Sequence, residues 1–303
     1  MRKIFLFCTV VLLSLLVGCS SVSTEQKKYI TFPVCTNNDK CKILYHQFTQ
    51  KLVAYNLVTH AIEQQTNRPN FFVYAFPTKC LYYTAGDSKY GHFSILKING
   101  NEIEKLYSGR KGEAIFPLAN DGSNYVFIKM YLDNKGIEIS RTIARWDEKE
   151  KRLVEYPHVK GPVSYGAIIG RQLYYTAYNP SDDDYTMYVL DLSNKSNQPR
   201  LVEKGLKAGQ LYVIDRTLYR SDQEKIYADN GRIFKKKLIN YIDKVNRLLI
   251  QIYPNGDADL VLDIVKIDTN EKIASVKNVI DFFTERRKVI VYSLDGKKEI
   301  IVP

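Results

Sequence analysis

The sequence predicts an all-β chain wound as a β-propeller of about seven four-stranded blades, six or eight being the alternatives. Three observations predict it. First, Leu81-Tyr82-Tyr83-Thr84-Ala85 returns letter for letter as Leu173-Tyr174-Tyr175-Thr176-Ala177. Second, looser copies at Tyr125–Ile128, Leu211–Ile214, Leu248–Ile252 and Val289–Tyr292 space the core strands 37 to 48 residues apart, counting from Leu44. A period near 40 residues, with several short strands per unit, is the signature of propeller blades. Third, 23 Tyr and 13 Phe favour half-buried pleated surfaces, and no 3.6-residue pattern of useful length follows the N-terminal run. With only 16 Gly and 10 Pro the chain is neither fibrous nor disordered in composition. A non-closed β-sandwich or two stacked β domains is the competing architecture.

The clearest unit is Asn70 to Tyr107. Phe71–Phe76, Leu81–Ala85, Phe93–Ile98 and Glu102–Tyr107 read as its four strands, and Asn99-Gly100-Asn101 as a hairpin turn. The next unit has Glu113–Leu118, Tyr125–Tyr131, Ile137–Trp146 and Arg152–Tyr156. The fourth has Val163–Ile169, Gln172–Tyr178, Tyr185–Leu192 and Arg200–Glu203. The fifth is short, Leu206 to about Ala228. The sixth has Arg232–Ile239, Arg247–Tyr253, Asp259–Ile267 and Ile273–Val276. The last has Val279–Phe283, Lys288–Ser293 and Lys298–Val302, one strand short of a blade. Tyr29–Val34 is expected to complete it and so close the ring, which removes exposed sheet edges. No linker divides the chain, and 29–303 is read as one propeller domain.

The N-terminus carries an address. Met1-Arg2-Lys3 is a short positive region, and Ile4 to Val17 is apolar. That run is short for a permanent span and suited to a signal peptide. It ends in Leu16-Val17-Gly18-Cys19, which resembles the bacterial lipobox. The resemblance implies that residues 1–18 are a signal peptide, cleaved before Cys19. It implies a lipid, palmitate among its acyl chains, on the Cys19 thiol and new amino group, with 19–28 as a polar tether. Several acyl chains make a stable anchor. Ser20 stands where inner-membrane retention uses Asp, so the resemblance points to the outer membrane in a Gram-negative cell. In a Gram-positive cell it points to the outer face of the cell membrane.

The formal charge is +11, or about +9 once Arg2 and Lys3 are removed. No long basic run exists; Lys235-Lys236-Lys237 is followed at once by Leu238 and Ile239. An evenly spread lysine surface is the reading, with no nucleic-acid partner. In an oxidising compartment disulfides persist. Cys35 and Cys41 enclose a turn-rich pentapeptide and are expected to face each other across a hairpin end, close enough to pair. Cys80 is expected to be a buried free thiol, pairing with Cys35 or Cys41 being the alternative.

Chemistry is sparse. No HExxH, G-x-S-x-G, P-loop or G-x-G-x-x-G is present, and the four His are isolated. No catalytic residue, metal or cofactor is therefore assigned. Loops leaving the second strand are polar, and Asp182-Asp183-Asp184 leads them as a candidate acidic rim for a cation or basic partner. Three successive Asp do not match a spaced calcium loop, and the residues fit a turn as well. The tyrosines could stack sugars or bases, but their alternation places most in strands, where packing explains them.

The period over the whole mature chain resembles periplasmic propellers of the TolB-like class and lipid-anchored propellers of outer-membrane assembly machinery. The Ser-Pro-Asp-Gly signature of that class is missing, Ser293-Leu294-Asp295-Gly296-Lys297 being a partial echo. The resemblance implies architecture. The function expected is a non-enzymatic, lipid-anchored envelope module that binds a protein partner. A glycan-binding or glycan-processing propeller, or a surface adhesin, is the alternative.

Overall fold

A computed structural model describes residues 31–302, apart from 68, 77–80, 88–90, 158 and 257–258. The signal segment, Cys19, its tether, Cys80 and His158 lie outside the described residues.

Seven antiparallel units follow one another along the chain. Blade 1 is Cys41–His46, Lys51–Asn56 and Ile62–Gln65. Blade 2 is Phe71–Ala75, Tyr82–Asp87, His92–Asn99 and Glu102–Ser108; blade 3 is Glu113–Asn120, Tyr125–Leu132, Glu138–Asp147 and Arg152–Tyr156. Blade 4 is Val163–Ile169, Gln172–Asn179, Asp184–Asp191 and Arg200–Leu206; blade 5 is Leu211–Ile214, Thr217–Ser221, Lys225–Tyr227 and Ile233–Lys235. Blade 6 is Ile239–Asp243, Leu248–Asn255, Asp259–Lys266 and Lys272–Val276; blade 7 is Val279–Glu285, Lys288–Ser293 and Gly296–Ile301. One parallel bridge, His92 opposite Glu113, links blades 2 and 3 into a single sheet.

Each blade is amphipathic on both faces, so neighbours bury apolar surface against each other. The core is accordingly divided into seven clusters, one at each junction. Tyr45 and Leu52 meet Val73 and Tyr83 between blades 1 and 2. Phe76 and Phe93 meet Ile115 and Phe127 between blades 2 and 3. Leu118 and Tyr156 meet Ile168 and Leu173 between blades 3 and 4. Ala167, Met187 and Leu206 meet Leu211 between blades 4 and 5, and Tyr219 and Phe234 meet Ile242 and Leu249 between blades 5 and 6. Ile250 and Leu262 meet Phe282 and Val291 between blades 6 and 7. The seventh cluster joins the ends: Leu44, Val53 and Tyr55 of blade 1 pack on Ile280, Ile290 and Tyr292 of blade 7. Seven blades with seven such junctions form a closed ring, the β-propeller.

Closure differs from the expectation. Pro33–Cys35 is a 3-10 turn, and residues 31–32 are not in a strand, so 31–34 do not extend blade 7. Proline at the turn's start lacks the N–H that a ladder needs. Among the described residues the ends meet through side chains. The Tyr45 N–H donates to Asp281 Oδ2 (2.9 Å), and Asp281 is fully buried. The Tyr55 hydroxyl donates to the Ser293 carbonyl (2.7 Å), and Lys42 Nζ lies 4.4 Å from the Phe283 ring centre. Cys35 and Cys41 form a disulfide, Cα–Cα 5.0 Å, joining the 3-10 turn to the first residue of blade 1 rather than two strands of a hairpin.

Two phase markers also shift. Tyr125, Leu173, Leu248 and Val289 fall in second strands, and Leu81 just precedes one, but Leu44 and Leu211 sit in first strands. The segment read as the sixth unit's first strand divides in two. Ile233–Lys235 is the outer edge of blade 5, and Ile239–Asp243 is the inner strand of blade 6. The tight turn at 215–216, with both residues at positive φ, made blade 5 too compact to separate by spacing.

Candidate site in the central channel

A cavity of about 470 Å3 lies at the ring axis. Its wall comes from the first strands of six blades or the residues flanking them: Tyr45, Tyr74, Leu118, Tyr165, Tyr212 and Tyr241 mark blades 1 to 6 in turn. The turn after the first strand of blade 1 adds Gln47 and Gln50. Gly166 permits the close approach of blades 3 and 4 on this wall. A Cβ there would stand 2.8 Å from Leu118 Cγ, closer than real side chains come.

The lining is aromatic and carboxamide in character. It contains no Asp, Glu, His, Lys, Arg or Cys among the described residues. Burial, then the neighbouring Tyr241 and Tyr74, push the Tyr45 phenol far up. Burial raises Tyr74, and pushes Tyr212 up to about 12. Among the described residues the lining thus carries no charged side chain and combines aromatic rings with hydroxyl and amide groups.

Most of those polar groups are committed to the wall. Asn240 Oδ1 accepts from Gln251 Nε2 (2.8 Å) and the Lys237 N–H, while its Nδ2 donates to the Lys237 carbonyl (2.9 Å). Gln210 Oε1 accepts from the Ser221 hydroxyl (3.3 Å). Gln47 differs. Only 7% exposed, it accepts the Tyr241 hydroxyl at Oε1 (2.8 Å), yet its Nε2 is enclosed without a hydrogen-bond partner. Two residues on, Thr49 Oγ1 is likewise enclosed and unpartnered, and Phe48 between them is 66% exposed. A buried donor without an acceptor costs about 1–3 kcal/mol.

The acidic rim resolves into a turn. Asp183 takes positive φ (49°) and accepts the Tyr178 hydroxyl (2.8 Å); Asp182 accepts from Asn179 Nδ2 (2.6 Å). Asp184 opens the third strand of blade 4, paired with Asn179. Asp and Asn tolerate the left-handed region and bond their own backbone or near neighbours, which suits a hairpin end. No group of three or more His, Cys, Asp or Glu able to hold a metal occurs among the described residues. No helix among them is long and apolar enough to cross a membrane.

A cluster of paired charges lies elsewhere, inside blade 3. Lys129 Nζ contacts Glu155 Oε1 (2.9 Å) and Glu113 Oε1 (3.1 Å) inside blade 3. Glu155 Oε2 also accepts the Tyr131 and Thr142 hydroxyls, and Glu113 Oε2 the Arg110 N–H and the Tyr107 hydroxyl. Burial pushes both carboxyls up, but these hydrogen bonds and the Lys129 ammonium outweigh it and hold both below the usual range. Burial acts to lower Lys129, and its bonds to Glu155 and Glu113 raise it on balance.

Sequence reasoning missed the channel residues. Its best signal was the Tyr excess, which it assigned to packing; Tyr45, Tyr241, Tyr74 and Tyr212 do pack in or against the junction cores, and with Tyr165 they also border the cavity. Nothing in the string singles out Gln47.

Fold and site define a seven-bladed propeller whose axial cavity is lined, among the described residues, by uncharged side chains. No protein-family model and no curated protein matches the chain. Solved structures similar to it include TolB from Acinetobacter baumannii, at 15% identity and TM-score 0.47, over 77% of this chain and 62% of that one. Hydrazine synthase from Kuenenia stuttgartiensis aligns at 10% identity and TM-score 0.46, over 87% and 93% of the two chains. Apo AztD from Citrobacter koseri aligns at 10% identity and TM-score 0.45, over 86% and 94%. The chain thus spans under two thirds of the TolB chain. Likenesses this distant carry nothing about function.

Proposed function

We propose that this chain is a non-enzymatic binding propeller of a bacterial envelope, held to the membrane by lipid on Cys19 and docking a protein partner on its loop-bearing ring. One observation carries the binding reading: among the described residues the cavity at the ring axis is lined by phenols, amides, one serine and apolar groups, with no carboxylate, imidazole, thiol or amine. Nucleophilic and acid–base mechanisms depend on such groups placed together. A ring clamped at seven junctions is also a rigid support for loops, and rigid scaffolds lower the cost of ordering a binding surface. The lipobox-like Leu16-Val17-Gly18-Cys19 supports the anchor and the envelope address. Outer membrane in a Gram-negative cell, or outer face of the cell membrane in a Gram-positive one, follows from Ser20.

The test is fractionation with in-cell crosslinking. Cys19→Ala should move the protein from membranes to the soluble envelope fraction. A photo-crosslinking residue at Phe48 should yield one discrete adduct with an envelope protein. Membrane retention of Cys19→Ala would remove the anchor, and absence of any discrete adduct from Phe48 and from a second loop position such as Val245 would remove the partner.

A further inference from the structure

We propose that the channel cavity is a binding site for an uncharged saccharide, with Gln47 as its specificity-determining residue. This goes beyond the docking function, which concerns the outer ring. The first argument is charge. A chain of net +11 has placed no cation and no anion among the described residues that line this cavity. Phosphates, uronic acids and charged peptide ends would find no counter-charge there and would lose their hydration.

The second argument is the pattern of the wall. A pyranose ring has an apolar C–H face bordered by hydroxyls that both donate and accept. The cavity is lined by groups of both kinds: the rings of Tyr74, Tyr165 and Tyr212, the carboxamides of Gln47 and Gln50, and Ser164. Its volume falls within the range of about 300–1,000 Å3 typical of small-molecule sites. A fully apolar ligand would strand these polar groups.

The third argument is the spare donor. Gln47 lines the cavity, is nine-tenths buried, and is held on one side only, through Tyr241. Its Nε2 has no acceptor. Nε2 is itself enclosed, so a ligand reaches it through a rotation of the terminal amide that gives up the Oε1 bond to Tyr241, and a sugar hydroxyl, which both donates and accepts, replaces that bond and supplies the missing acceptor. Asn240 and Gln210, on the same wall, have their side-chain oxygens engaged. A group with its bonding unfinished inside a lined cavity is built for something that arrives later.

Calorimetric titration of the intact mature protein tests this, with four probes: N,N′-diacetylchitobiose, chitotriose, maltotriose, and trigalacturonate as the anionic control. At least one neutral probe should bind and raise the melting temperature, as a ligand of the folded state must. Trigalacturonate should bind at least about tenfold more weakly. Gln47→Leu should weaken the neutral ligand about tenfold or more in a protein that still folds, with a lowered melting temperature, because Leu removes the acceptor of the Tyr241 hydroxyl together with the unsatisfied donor. Gln47→Glu, which keeps the acceptor for Tyr241, should weaken it too. The proposal is overturned if no neutral probe binds at millimolar concentration, if trigalacturonate binds as well, if Gln47→Leu binds like the parent, or if the crosslinked protein partner proves to fill the channel.

Discussion

Leu81–Ala85 and Leu173–Ala177 have the same five letters and the same place in their blades, yet they do different things. Tyr83 and Tyr175 both face the preceding blade, and Tyr82 and Tyr174 both face the next one. The ends diverge. Leu173 is fully buried between Ile168 and Leu190, because the first strand of blade 4 runs on to Ile169. Leu81 is 46% exposed, because the first strand of blade 2 stops at Ala75, opposite Tyr83. The Thr176 hydroxyl donates to the Gly209 carbonyl (2.8 Å), whereas Thr84 Oγ1, equally buried, has no partner. A local string sets which way side chains point; the length of the strand beside it sets what they meet.

A reference for the largest effect lies between the two copies, at Lys129. Lys129→Met strands Glu113 and Glu155, and removing one partner of a buried ion pair costs about 3–5 kcal/mol. The pH dependence follows from the signs. Glu113 and Glu155 titrate lower in the folded chain than unfolded, so their contribution is present above the unfolded carboxylate pKa and lost as pH falls through the folded one. Lys129 titrates higher when folded, so its share is present below the unfolded lysine pKa and lost as pH rises through the folded one. Acid unfolding, followed by circular dichroism, should therefore begin at higher pH in Lys129→Met than in the parent.

The two leucines come next. Leu173→Ala should lose about 2–5 kcal/mol in chemical denaturation. Leu81→Ala should stay within about 0.5 kcal/mol. Equal losses at both sites would mean that the shorter first strand of blade 2 does not matter.

The threonines give a smaller contrast. Thr176→Val leaves the buried Gly209 carbonyl without its donor and should cost about 1–3 kcal/mol. Thr84→Val exchanges an unpartnered hydroxyl for a methyl of the same shape and should be neutral or stabilising. A loss at Thr84 as large as at Thr176 would contradict the different environments. Smallest of all, Asp182→Asn with Asp183→Asn should shift the melting temperature little, and calcium should not raise it in either protein, because those carboxylates serve a turn.

The same reasoning says how much could be read from the string. Period, turn residues and the second strands were legible, because alternation and Asn-Gly punctuation are local. The blade 5–6 boundary was not. Lys235-Lys236-Lys237-Leu238 looks continuous, and only sheet pairing shows that Lys235 ends one blade before Ile239 begins the next. The site was illegible for a related reason. Asp182 to Asp184 stand out in the sequence, but Asp182 and Asp183 bond within their own hairpin, while Gln47 is an ordinary letter whose unfinished bonding appears only when Tyr241 arrives from 194 residues away.

The junction of blades 4 and 5 has a kinetic meaning. Among the described residues its buried core is Ala167, Met187, Leu206 and Leu211 alone, against thirteen residues between blades 6 and 7. In a ring of separate cores, local opening is governed by the thinnest one. Amide hydrogens of Ala167 and Val213 should thus exchange faster than those of Ile250 and Val291. Tyr165 on one lip of that junction and Tyr212 on the other both border the axial cavity. The thinnest core of the ring therefore stands directly beside the cavity, and loosening of that junction is felt first by the cavity's own lining.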